Sequence, residues 1–232
     1  MARLLLSDSI KGKLRHPAKF TNSLIPEIAK ILIQHNAKLV LDPFAGTGKI
    51  AEIKKHGFNG EIHCVEIEQE WSLMHEYDVD KWFVADSENL YWAANESYDA
   101  IAYSPTYGNR MADHYNETTQ TLRFTYRHCL GRKLSDGNTG KMQWGNAYRE
   151  KHEKIYKELY RVLKKHGVWI INIADHIRNK KRVYVSEWHA NTIENLGMKQ
   201  IDKITISTPK LKVGRNKEAR IGEEYIYVFV KE

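Results

Sequence analysis

Lys38-Leu39-Val40-Leu41-Asp42-Pro43-Phe44-Ala45-Gly46-Thr47-Gly48 decides how this chain folds. Leu39-Val40-Leu41 is the short, unbroken apolar run expected of a strand covered on both faces. Asp42-Pro43 then breaks the strand. Gly46 and Gly48 follow where backbone must approach a bound group without side-chain obstruction. A helix ending near His56-Gly57 is expected next, and its first amides point back at the same place, where a polar or anionic group is stabilised.

Outward from that loop, strands and helices alternate. Upstream, residues 22–35 carry Leu24, Ile28, Ile31 and Leu32 at helical spacing, with Ser23 as N-cap and Pro26 tolerated in the first turn. Downstream, 61–67, 82–85, 98–103 and 168–173 read as strands. Residues 151–165 read as a helix with Ile155, Leu159, Val162 and Leu163 on one face, stopped by Gly167. Residues 185–196 form another helix, capped by Gly197. The last two strands, 199–207 and 225–230, are joined by a basic loop without a crossover helix and should run antiparallel. This pattern predicts an α/β fold, a doubly wound, mostly parallel sheet with an antiparallel C-terminal strand. Residues 1–232 then form one domain, with an insertion at about 106–149 that has no sustained period.

The bulk properties fit such a domain and limit its partners. The chain has 232 residues, enough for a substantial core, and 36 − 29 = 7 more Lys and Arg than Asp and Glu. That surplus favours polyanionic partners. Cys64 and Cys129 are the only cysteines, which excludes a disulfide framework and a zinc-ligand cluster. The apolar stretch at the N-terminus is too short for a signal peptide, and no run approaches the ~20 residues of a spanning helix. A cytoplasmic protein without membrane contact is expected.

The seven residues 42–48 after a strand, with Glu66 near the end of the next one, resemble motif I of class I S-adenosylmethionine-dependent methyltransferases. The form is the one typical of amino-methyltransferases acting on nucleic acids. The resemblance implies S-adenosylmethionine as cofactor, held by Asp42, Pro43, Phe44, Ala45, Gly46 and Gly48, with Glu66 accepting hydrogen bonds from both ribose hydroxyls. Asp86, in Val84-Ala85-Asp86-Ser87, matches the position that meets the adenine amino group, and it equally suits an N-cap. His16-Pro17-Ala18-Lys19-Phe20 is similar to the N-terminal motif X of DNA amino-methyltransferases. This implies Phe20 against the cofactor, with staple packing onto the first helix as the residue-level alternative. A Walker loop is excluded because Gly-Lys-Ser/Thr is missing, and a dinucleotide loop lacks its third glycine.

Ser104-Pro105-Thr106-Tyr107 resembles motif IV of the same family, usually Asp/Asn/Ser-Pro-Pro-Tyr/Phe, which implies Ser104, Pro105 and Tyr107 as the catalytic set. The residue types suit the chemistry. An aniline-like amine is a poor nucleophile because its lone pair is delocalised into the ring. Acceptors on the first residue and on the adjacent backbone bind its two hydrogens and turn the lone pair toward a methyl donor, while the aromatic stacks on a base flipped from its helix. Thr106 replaces the second proline and is expected to loosen the backbone. Ser104 is no strong base, and in the family a serine here leans toward cytosine N4.

Cations interleaved with aromatics in the insertion suit a nucleic-acid surface. Arg110, Arg123, Arg127 and Trp144, with Arg215 from the basic loop, are the candidate substrate-binding residues. The alternative for this segment is a lid that covers the cofactor. Asp175-His176 is expected at the target pocket, and no metal site is expected. The combined reading is an amino-methyltransferase acting on nucleic acid, DNA ranked ahead of RNA, with cytosine N4 ahead of adenine N6. The rivals are an RNA base amino-methyltransferase and a non-catalytic nucleic-acid-binding module that keeps the fold.

Overall fold

The computed structural model describes residues 16, 21–108, 126–178, 180–208 and 221–232, with backbone alone at 127 and 128. Seven strands form one sheet: β1 (Leu39–Asp42), β2 (Glu61–Glu66), β3 (Lys81–Val84), β4 (Tyr98–Tyr103), β5 (Leu163–Ile173), β8 (Met198–Ser207) and β9 (Glu223–Lys231). Their order is β3-β2-β1-β4-β5-β9-β8. The first five are mutually parallel, whereas β9 runs antiparallel to both β5 and β8. A small separate hairpin, β6 (His176–Arg178) with β7 (Lys181–Val183), follows β5 and was not foreseen.

The period of two along the strands explains how both faces are covered. Leu41, Val65, Ile101, Tyr103, Trp169 and Ile171 point to one side, where α4 (Asn146–Val162) and α5 (Val185–Glu194) bury Ile155, Leu159, Val162 and Ile193. Val40, Cys64, Ala100, Ala102, Val168 and Ile170 point to the other, under α1 (Leu24–Gln34). Ile25 as well as Leu24, Ile28, Ile31 and Leu32 are buried in α1. Each fully buried aliphatic side chain of this kind contributes ~1.5–3 kcal/mol.

Three local readings need correction. The segment after the glycine loop, Lys49–His56, is a 3₁₀ helix rather than an α-helix, with Gly48 and Gly57 in left-handed conformation at its two ends. The helix expected over 151–165 starts five residues earlier and stops at Val162, where the chain passes straight into β5. Gly167 therefore lies inside that strand. It follows His166 at φ +63 and packs so that a Cβ would sit 2.7 Å from Leu163 Cδ1. Two further helices, α2 (Gln69–Ser72) and α3 (Tyr126–Leu130), are short.

The topology determines where a ligand belongs. β1 and β4 are neighbours, with Leu41 opposite Ile101, yet the chain leaves β1 toward β2 and leaves β4 toward β5. Loops at their carboxyl ends part in opposite directions and leave a crevice at this switch point. The glycine loop leaves β1, and Ser104-Pro105 leaves β4.

Candidate active site

A cavity of about 300 Å³ fills that crevice. Its walls bring together the two segments singled out from sequence. Pro43, Phe44, Ala45, Gly46 and Glu66 line one side, and Ser104, Pro105, Thr106 and Tyr107 the other.

The glycine loop is held from beneath. Asp42 is fully buried and accepts the Phe44 backbone N–H through Oδ1 at 2.9 Å. The Pro43 carbonyl accepts from Ser87 Oγ at 2.6 Å, and the Ala45 N–H donates to the Val65 carbonyl at 3.1 Å. Phe44 stacks on His152 with ring centroids 5.6 Å apart. Gly46 lines the cavity at φ +55, and a Cβ there would meet the His16 ring at 2.9 Å. Gly48 does not line it. At φ +84 it makes room instead for Val79 and Trp82, whose atoms would lie 2.6 and 2.8 Å from an added Cβ. Asp42 likewise stands behind the loop rather than in the cavity.

Glu66 faces the cavity with Oε2 accepting the Gly46 N–H at 2.8 Å and Oε1 accepting the Glu68 N–H at 2.9 Å. Burial raises its carboxyl from 4.5 to about 8, against those two hydrogen bonds. Burial also raises Asp42, to about 7. Asp86 reaches the cavity too, but its Oδ1 accepts the Glu88 N–H at 3.0 Å and its Oδ2 pairs with Lys151 Nζ at 2.6 Å.

The second wall is a hydrogen-bonded unit. Ser104 Oγ and Tyr107 Oη share a hydrogen bond of 2.9 Å. Asn172 Nδ2, at the end of β5, donates to Tyr107 Oη at 3.1 Å, to Ser104 Oγ at 3.3 Å and to Glu224 Oε2 at 3.1 Å. Burial pushes the Tyr107 hydroxyl well above its ordinary value, so the phenol is neutral. Thr106, expected to loosen this segment, is fastened instead. Its hydroxyl donates to Thr139 Oγ1 at 2.7 Å, and its carbonyl accepts from Tyr148 Oη.

That carbonyl ends a directed chain. The Tyr148 hydrogen goes to Thr106, so Tyr148 Oη must accept from His189 Nε2 at 3.0 Å, which places the imidazole proton on Nε2. His189 Nδ1 is then the acceptor for the Tyr156 hydroxyl. Burial lowers His189 well below the usual histidine range, consistent with one neutral tautomer.

Other expected residues lie elsewhere. Trp144 packs on Tyr148 and Trp188, with centroids 5.4 and 5.5 Å away, and is not in the cavity wall. Asp175 is structural here: Oδ1 accepts the Ser186 N–H at 2.9 Å and Oδ2 pairs with Arg182 Nε at 2.8 Å. Neither it nor His176 lines the cavity. Phe20, Arg110, Arg123 and Arg215, and the side chain of Arg127, lie outside the described residues. Among the described residues no group of three or more His, Cys, Asp or Glu is placed to hold a metal, and no helix is long and apolar enough to cross a membrane.

Sequence reasoning passed over Asn172, Glu224, Glu68 and Thr139. Asn172 alone left a signal, a lone amide in the apolar run Val168-Trp169-Ile170-Ile171-Asn172-Ile173. The residues at the first wall fit an adenosyl cofactor. Thr47 Oγ1, in the cavity lining, is buried without a hydrogen-bond partner, and Gly46 brings bare backbone to the cavity wall.

The comparisons with known proteins agree with this architecture. The solved structure of an S-adenosylmethionine-dependent methyltransferase from Archaeoglobus fulgidus is similar at TM-score 0.54 and 14% identity, covering 91% of this chain and 95% of that one. The N-methyltransferase NodS from Bradyrhizobium japonicum WM9, in complex with S-adenosylhomocysteine, is similar at TM-score 0.52 and 9% identity, covering 96% of each chain. At such identities the likeness is one of fold, the class I methyltransferase fold. No curated protein matches the sequence. The N6/N4 methyltransferase family model, described as DNA methylase, matches residues 98–232, which span the Ser104–Tyr107 wall, α4, β5 and the antiparallel end of the sheet. With more than half of its length matched by that model, the chain belongs to the DNA methylase family.

Proposed function

We propose that this protein uses S-adenosylmethionine to methylate an exocyclic amino group of a DNA base, cytosine N4 ahead of adenine N6. One observation carries the reading: the Gly46 loop and the Ser104–Tyr107 wall face each other across a single cavity at the switch point of the sheet. Membership of the DNA methylase family supports the polymer and the reaction type.

When bound, S-adenosylmethionine supplies an electrophilic methyl group on a sulfonium. Pro43, Phe44, Ala45 and Gly46, which line the cavity, would cradle it, and Glu66 would accept hydrogen bonds from the ribose hydroxyls. Asp86, whose carboxylate pairs with Lys151, would meet the adenine amino group. Ser104 Oγ and the Pro105 carbonyl accept hydrogen bonds from the two amine hydrogens, which withdraws the nitrogen lone pair from the ring and aims it across the cavity. Once methylated, the nitrogen cation would release one of those protons to solvent, since neither acceptor is a base. With Ser104 donating to Tyr107, its oxygen keeps a lone pair for that purpose. The Tyr107 ring stacks on a base turned out of its helix, and Asn172 holds both hydroxyls in place. Positioning does most of the catalytic work. Arg110, Arg123, Arg127 and Arg215 are the proposed phosphate contacts.

The test is incubation with methyl-labelled S-adenosylmethionine and, in parallel, unmethylated DNA and total RNA, each digested to nucleosides and resolved by mass spectrometry. Label in N4-methyldeoxycytidine or N6-methyldeoxyadenosine is the expected result. Label confined to RNA nucleosides would transfer the reading to an RNA base methyltransferase. Bound cofactor without label in either would indicate a non-catalytic module.

A further inference from the structure

One fully buried carboxylate beside the cavity has no part in the reaction above. Glu68 lies two residues past Glu66 and is 0% exposed. Although it precedes α2, its side chain gives that helix no cap. It crosses instead to the loop 132–141. Oε1 accepts from the Ser135 backbone N–H and from Asn138 Nδ2, both at 2.8 Å. Oε2 accepts from Ser135 Oγ at 2.9 Å and from Arg132 Nη2 at 2.7 Å. A carboxylate has about four lone-pair sites, and this one spends them all on a single loop.

The far end of the loop is fastened as well. Asn138 Oδ1 accepts the Gly140 N–H at 2.8 Å, and Thr139 Oγ1 accepts from Thr106 Oγ1 at 2.7 Å. Between the two anchors, Gly137 takes φ +86 and lies so close to Asp86 that an added Cβ would overlap its carboxylate. Gly137, Asn138, Thr139 and Gly140 all line the cavity.

We infer that the loop 132–141 is a built wall of the cofactor pocket at its Asp86 end, and that Glu68 is the positioning residue that holds it there. The inference rests on the reading of the cavity as an S-adenosylmethionine pocket. It gives the second half of the insertion a role toward cofactor rather than toward nucleic acid.

Two variants and two readouts test it. Glu68→Gln keeps the side-chain volume but removes the charge and part of the acceptor capacity. Asn138→Ala removes one donor and leaves Glu68 paired with Arg132 and Ser135. S-adenosylhomocysteine is titrated calorimetrically into wild type and both variants, and amide hydrogen exchange is followed over 132–141 with and without it. Wild type is expected to bind and to gain protection in the loop. Each variant is expected to bind about tenfold more weakly or worse, a loss of about 1.4 kcal/mol or more, and to lose that added protection. Variants with lower unliganded Tm but wild-type affinity while folded would assign Glu68 a purely structural role and overturn the inference. So would wild-type binding without added protection in the loop. Failure of wild type itself to bind would overturn the cofactor reading together with the inference, whereas wild-type binding beside unaffected variants overturns the inference alone.

Discussion

Glu66→Gln replaces the buried acid of the cavity by a neutral amide, and its effect on stability should depend steeply on pH. Burial raises the Glu66 carboxyl from 4.5 to about 8 in the unliganded fold. An acid whose folded pKa lies above its unfolded value holds its proton more tightly when folded. Its contribution is therefore intact below about 4.5 and is lost as pH rises toward about 8. At about 1.4 kcal/mol per pH unit of difference, ionisation costs the fold about 5 kcal/mol by pH 9, most of it incurred above pH 5. The amide has only one acceptor for the Gly46 and Glu68 N–H groups, a cost of about 1–3 kcal/mol that is the same at every pH. Relative to wild type, the unfolding free energy of the variant should thus rise by about 3–5 kcal/mol between pH 5 and pH 9, whatever the offset. Urea denaturation at the two pH values measures it. Asp42, raised to about 7, titrates in the same window and its charge helps to raise Glu66, so the difference reads the two carboxyls together. An equal difference at both pH values would refute the burial of an ionisable Glu66.

Tyr107→Ala removes the ring and frees Ser104 Oγ and Asn172 Nδ2 of their phenol partner. Methyl transfer should fall at least about 100-fold while S-adenosylhomocysteine affinity changes less than about threefold, and equal losses in labelled turnover and calorimetry would sink the stacking role. Gly46→Ala places a methyl at 2.9 Å from the His16 ring with φ at +55, so cofactor affinity should drop about tenfold or more by calorimetry. His189→Phe leaves the Tyr156 hydroxyl without its acceptor and the Tyr148 hydroxyl without its donor. Urea unfolding should register a loss of about 2–4 kcal/mol, and no loss would remove the chain behind Thr106 from the account.

The tilt toward DNA rests on the family, and the charge surplus points the same way without choosing a polymer. Several of the residues expected to meet phosphate fall outside the described structure, so the two cavity walls carry the mechanistic weight. Within them the geometry separates glycines that read alike in sequence. Gly46 lines the cavity with the His16 ring against its Cβ position, whereas Gly48 lies off the cavity and serves the packing of Val79 and Trp82.

Much of the scaffold was legible because its cause is local. Leu39-Val40-Leu41, the apolar run of β5 and the helical spacing in α1 each declare burial within a few residues. The string 42–48 and Ser104–Tyr107 were legible for the same reason, since a turn and a strand exit are built from adjacent residues. Local pattern misled where propensity and packing compete. Lys49–His56 tightened into a 3₁₀ helix, and Gly167 marked a tight passage inside β5 rather than a helix end.

The partners of those segments were another matter. Glu68 meets Asn138 across 70 residues, Asn172 meets Ser104 across 68, and Thr106 meets Thr139 across 33. Nothing in the composition around Glu68 distinguishes a carboxylate that will be buried under a loop from one left in solvent. A hydrogen bond at such separation exists only once the sheet has closed in the order β3-β2-β1-β4-β5, bringing the carboxyl ends of β1, β2, β4 and β5 to one rim. Motif spacing could thus name the two walls of the cavity. Their orientation, the pinning of Thr106 and the loop held by Glu68 followed from the packing of strands whose sequence positions are far apart.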